Sequence, residues 1–77
     1  MDASSLLRQY VEHGSESAFR ELVTRYIDFV YSVALRRVDG NAYLAQDVAQ
    51  TVFTDLARKA RSLPVDVMLG GWLHRHT

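Results

Sequence analysis

The chain has no cysteine, no net charge at neutral pH and a single proline among its 77 residues. Without thiols there is neither a disulfide framework nor a thiolate metal site, which fits a reducing cytosol. No apolar run approaches the roughly 20 residues that a membrane span needs. The start Met1-Asp2-Ala3 lacks the basic residues and long apolar core of a signal peptide. A soluble, intracellular, cytoplasmic protein is therefore expected. There is no Gly-rich phosphate loop, no nucleophile elbow and no metalloprotease histidine pair, so enzyme chemistry is not expected. No cofactor or metal is expected either. His74 and His76 sit two apart, which on a helix sends them to different faces, and His13 is distant in sequence.

Hydrophobic residues make up 48% of the chain, enough for it to fold rather than remain disordered. Its length suits one small domain. The absence of net charge argues against binding nucleic acid mainly by counterion release, but the charges are unevenly spread. Up to Leu35, Asp2, Glu12, Glu16, Glu21 and Asp28 outnumber Arg8, Arg20 and Arg25. From Leu56 onward, Arg58, Lys59, Arg61 and Arg75 face only Asp66. That basic end either meets a phosphate-bearing partner or completes a helix by favourable interaction with its dipole.

The pattern predicts an all-α fold, a compact bundle of three helices plus the start of a fourth. Ser4 or Ser5 caps a first helix with Leu6, Leu7, Tyr10 and Val11 on one face, and Gly14 ends it. Ser15 or Ser17 caps a second helix running to about Val38. Its apolar residues cover more than half the circumference, leaving Glu21, Thr24, Arg25, Asp28, Ser32 and Arg36 as a polar stripe. Such a helix must be packed on at least two sides, which makes it the central element. Asp39-Gly40-Asn41 ends it and starts a third, running to about Arg61, where Ser62-Leu63-Pro64 breaks the helix. Pro64 to Gly71 reads as a loop, and Trp72 opens a helix that has only just begun at Thr77. The chain thus reads as one domain, 1–77, and as a fragment lacking the end of its last helix.

The third helix has two faces. At about 100° per residue, Ala45, Val48, Ala49, Val52, Phe53, Leu56 and Ala60 form a core stripe. Asp47, Gln50, Thr51, Thr54 and Arg58 line up on the opposite face at three- and four-residue steps. Short groups with defined hydrogen-bonding geometry, in place of Lys and Glu, suit a docking ridge for another macromolecule. The alternative is a solvated face light in lysine. Most of the aromatic residues fall on apolar faces. Tyr43 is the exception, near the start of the third helix and partly exposed. Trp72 is either the anchor fastening the last helix to the core or a surface on which an unpaired base stacks, the anchor being the favoured reading.

The order of these segments resembles region 2 of bacterial sigma-70-type factors, and most closely the extracytoplasmic-function group. Ser17-Ala18-Phe19-Arg20-Glu21-Leu22-Val23-Thr24-Arg25-Tyr26 followed by Val30-Tyr31-Ser32-Val33-Ala34-Leu35 is similar to the opening of that region. The family's next helix reads Ala-Glu-Asp-x-x-Gln-x-x-Phe, matched by Ala45 to Phe53 except at Gln46. Gly71-Trp72-Leu73-His74-Arg75 is similar to the Trp-Leu-x-Arg start of its last helix.

The resemblance implies a transcription-initiation domain that docks on the clamp coiled coil of the RNA polymerase β′ subunit and helps recognise and melt the −10 promoter element. Asp47 and Gln50 take the family's coiled-coil-contacting positions. Thr51 stands where the family often has Glu, removing one charge-assisted contact. With Thr54 and Arg58 these residues make the expected polymerase surface. The expected promoter surface is the loop Leu63, Pro64, Val65, Asp66, Val67, Met68, Leu69, Gly70 and Gly71, with Arg61 and Arg75, and with Trp72 holding the loop. That loop departs from the family's commoner aromatic and small-polar pattern. The resemblance allows an anti-sigma factor as a further partner, and it makes a C-terminal helix-turn-helix domain the expected missing part. Apolar surface left uncovered by a truncated last helix is a route to self-association. The competing reading is a helical protein–protein adaptor with no DNA role, using the same ridge.

Overall fold

The structure, a computed structural model, describes residues 2–64 and 67–77. Four α-helices follow one another: α1 (Ala3–His13), α2 (Glu16–Arg37), α3 (Ala42–Lys59) and α4 (Leu69–His76), with a 3₁₀ turn at Ala60–Ser62. The all-α expectation holds. The molecule measures 37 × 20 × 20 Å. Its long axis matches the roughly 33 Å that 22 helical residues span, because α2 is the spine on which α1, α3 and α4 pack.

Local chemistry sets the boundaries. Asp2, rather than Ser4 or Ser5, caps α1, its Oδ1 accepting from the Ser5 N–H at 2.8 Å. The two serines fall inside the helix, where they have no free backbone donor at the right distance to cap. Ser15 caps α2 through its Oγ, which accepts from the Ala18 N–H at 3.2 Å, and Ser17 lies in the first turn. Asn41 caps α3, accepting from the Leu44 N–H at 3.1 Å. Gly14 ends α1 with φ 62°. Between α2 and α3 the chain turns through Asp39 at φ 54° and Gly40 at φ 81°, and the Gly40 N–H reaches the Leu35 carbonyl at 2.8 Å.

The core is built where the helices converge. Leu22 and Val30 of α2, Leu56 of α3 and Leu73 of α4 are fully buried. Leu6 and Leu7 of α1 and Leu69 and Trp72 of α4 join them. The Tyr10 and Phe19 rings pack α1 on α2, centroids 4.7 Å apart and tilted 41°. No polar or charged side chain is buried among the described residues, so the polar chemistry of the described residues is at the surface.

The start of α4 differs from the sequence expectation. Gly70 and Gly71 belong to the helix, which begins at Leu69, three residues before Trp72. Leu69, Trp72 and Leu73 stand at i, i+3 and i+4, and only a helix through the glycines turns all three into the same core. Met68 takes the extended conformation that precedes a helix, and its carbonyl accepts from the Trp72 N–H at 3.0 Å. Burial of three large side chains outweighs the roughly 1 kcal/mol that each helical glycine costs relative to alanine.

Candidate functional site

One face of α3 is given to the core and the other to solvent. Ala45, Ala49, Val52, Phe53 and Leu56 are buried, and Val48 packs against the same cluster. On the far side Asp47, Gln50, Thr51, Thr54 and Arg58 are all exposed. They line one shallow surface depression together with half-buried Asp55. The structure therefore brings the five expected ridge residues together.

Their hydrogen-bonding capacity is largely uncommitted. Thr54 Oγ1 donates to the Gln50 carbonyl at 2.9 Å, which fixes the hydroxyl and leaves its oxygen as an acceptor. Among the described residues the ion pair found is Glu21–Arg25 on α2, at 3.5 Å; neither Asp47 nor Arg58 takes part in one. A carboxylate, an amide and a guanidinium are thus displayed on one helix face, and among the described residues neither charged group is in an ion pair. A groove of about 660 Å³ between α2 and α3 runs beside this ridge, lined by Phe19, Val23, Ile27, Tyr31 and Phe53 and edged by Gln50. Sequence periodicity assigned Phe19 and Tyr31 to the core, whereas both are half-buried at the groove wall. Ile27 and Phe29 are 36% and 40% exposed. No sequence signal distinguishes these from buried neighbours, because the distinction depends on which helix packs where.

The second candidate surface is divided by the fold. Arg61, Pro64, Met68, Gly71 and Arg75 are exposed, Met68 to 81%. Leu63 and Val67 pack partly against the core, and a Cβ added at Gly70 would come within 4.0 Å of the Tyr26 ring. Leu69 is buried, so its side chain is held in the core rather than displayed. Val65 and Asp66 lie outside the described residues. The stretch expected as one loop to Gly71 is therefore a shorter connection followed by the first turn of α4.

Trp72 is buried, with its indole stacked on the His76 ring at 3.9 Å and 16°. His76 is held in turn by Nδ1 against the Trp72 carbonyl at 2.8 Å. His74 points elsewhere, its ring 6.2 Å from that of Phe29. No group of three His, Cys, Asp or Glu side chains suited to a metal ion occurs among the described residues. Arg8 is a residue that sequence reading passed over. It shares a small depression of about 150 Å³ with Arg61, Ser4, Leu63 and Pro64, at the seam between α1 and the 3₁₀ turn. Two cations far apart in sequence, with Glu12 beside them, thus line one depression at the candidate promoter surface, and only the tertiary packing of α1 places them there.

The chain matches the family model for sigma-70 region 2 over residues 22–77. It belongs to the sigma-70 region 2 family. No curated protein and no solved structure matches it. The matched stretch takes in most of α2 and all of α3 and α4, hence the whole ridge, while α1 precedes it. Region 2 domains take part in RNA polymerase binding and promoter melting, and theirs is a transcription-factor family rather than an enzyme family. No described helix is long and apolar enough to cross a membrane.

Proposed function

We propose that this domain docks on the clamp coiled coil of the RNA polymerase β′ subunit through the outer face of α3, with Asp47, Gln50, Thr51, Thr54 and Arg58 as the contacting groups. The observation that carries the proposal is the uncommitted polar stripe on α3, set opposite the core and contained within the family match. Once docked, Arg61, Pro64, Met68, Gly71 and Arg75 present the promoter-facing side to the −10 element in the manner of an extracytoplasmic-function factor in the cytoplasm, with Trp72 anchoring the chain beneath them. Arg8 extends that side onto α1. A formal charge of zero suits a protein that reads DNA on the enzyme rather than alone.

The test is binding of the chain to the isolated clamp coiled coil, beside the Asp47→Ala, Gln50→Ala double variant. The parent is expected to bind, and the folded variant to lose about 1–3 kcal/mol, as interface polar groups do when left unpaired. A well-folded parent that shows no binding contradicts the proposal and favours a helical adaptor acting on another partner.

A further inference from the structure

The ridge on α3 has one more member than the polar residues that define it. At about 100° per residue, Asp47, Gln50, Thr51, Thr54 and Arg58 occupy an arc of about 100° on the helix circumference. Tyr43 falls inside that arc, one turn before Asp47. It is 83% exposed, the most exposed of the large hydrophobic side chains described. Its backbone is in the first turn of α3, fixed by the Asn41 cap, so the ring is displayed from a rigid base rather than from a loop. A large aromatic ring displayed at the surface is of the side-chain type most favoured at the centre of binding interfaces.

Asp47 is its neighbour at i+4, roughly 5–6 Å away between Cβ atoms. No cation of this chain pairs with that carboxylate among the described residues. Arg58 stands eleven residues further on, about 16 Å along the axis. An aromatic face beside an unpaired carboxylate is complementary to a cation, and best to a planar one that stacks on the ring while donating to the carboxylate. A guanidinium does both at once, and an ammonium has no flat face to stack. We infer that Tyr43 and Asp47 together receive an arginine side chain of the polymerase coiled coil, Tyr43 covering its face and Asp47 binding its edge. The inference rests on the docking proposal above and adds to it a residue and the chemistry of its counterpart.

The test is affinity of the 77-residue chain for RNA polymerase core enzyme, read by fluorescence anisotropy. The variants are Tyr43→Phe, Tyr43→Leu, Tyr43→Ala, Asp47→Ala and the Tyr43→Ala, Asp47→Ala pair, each checked for helicity by circular dichroism. Tyr43→Phe keeps the ring and should bind within about twofold of the parent, whereas Tyr43→Leu and Tyr43→Ala should bind roughly 3- to 30-fold more weakly. Because both residues hold the same cation, the paired variant should lose less than the product of its single losses. Parent-like binding by Tyr43→Ala, with Asp47→Ala still weakened, overturns the inference and leaves the docking proposal standing. So does a loss for Tyr43→Phe as large as for Tyr43→Ala, or losses in the pair that simply multiply. A parent that fails to bind core enzyme overturns both.

Discussion

Leu56 shows how a single side chain supports the ridge without touching a partner. It is fully buried on the inner face of α3, in the same core cluster as Val52 of α3 and Leu22 of α2. Leu56→Ala should lower stability by about 2–5 kcal/mol in urea denaturation, through lost burial and the cavity left behind. Thr51→Ala, on the opposite face and exposed, should stay within about 0.5 kcal/mol of the parent. Asp2 gives a pH-dependent counterpart. The Ser5 backbone N–H, assisted by the Ser5 side chain, holds its carboxyl below the ordinary aspartate value. A group with a depressed folded pKa contributes stability that is present above its unfolded value and is lost as pH falls through the folded one. Stability should therefore decline on acidification below about pH 4, and the part of that decline due to this cap should vanish in Asp2→Asn, since Asn caps equally well and does not titrate. Urea midpoints of the two proteins against pH check it.

At the scale of elements, the helices were legible because long periodic segments report which face is buried. Ser15, Asn41 and Gly14 all act where short-range chemistry places them. The start of α4 was not legible, because Gly70-Gly71 reads locally as a breaker while the need to bury Leu69, Trp72 and Leu73 together is a tertiary demand. The cap of α1 was displaced from serine to Asp2 because several adjacent polar residues compete for one geometric role. The exposure of Ile27 and Phe29 and the placing of Arg8 and Arg61 along one depression depend on how helices pack, which periodicity within a single helix does not encode. The shared exposure of Asp47, Gln50, Thr51, Thr54 and Arg58 was legible, since they lie on one helix and need only the 3.6-residue period. The two kinds of glycine should respond oppositely to alanine. Gly71→Ala should stabilise by about 0.4–1 kcal/mol by restricting the unfolded chain, because a Cβ there meets nothing within 4 Å. Gly14→Ala, at φ 62°, should cost roughly 1–2 kcal/mol of left-handed strain.

At the scale of the whole molecule, the function proposed above divides two tasks between two surfaces: the outer face of α3 for the protein partner, and the side carrying Arg8, Arg61, Met68 and Arg75 for DNA. Acids and bases balance over the chain, so the free domain should bind a −10-element oligonucleotide no tighter than the roughly 10⁻⁴–10⁻⁶ M of non-specific association. Anisotropy titration at physiological salt checks this. Core enzyme should raise that affinity by supplying the rest of the surface.

The measurement that bears most directly on the central claim is amide chemical-shift mapping of the ¹⁵N-labelled chain titrated with the polymerase clamp coiled coil. The account predicts that the largest shifts fall on the outer face of α3, at Asp47, Gln50, Thr51, Thr54 and Arg58, with α1 and the inner positions of α3 little changed. Shifts centred on α1, or a titration that leaves the α3 ridge unmoved, would contradict it.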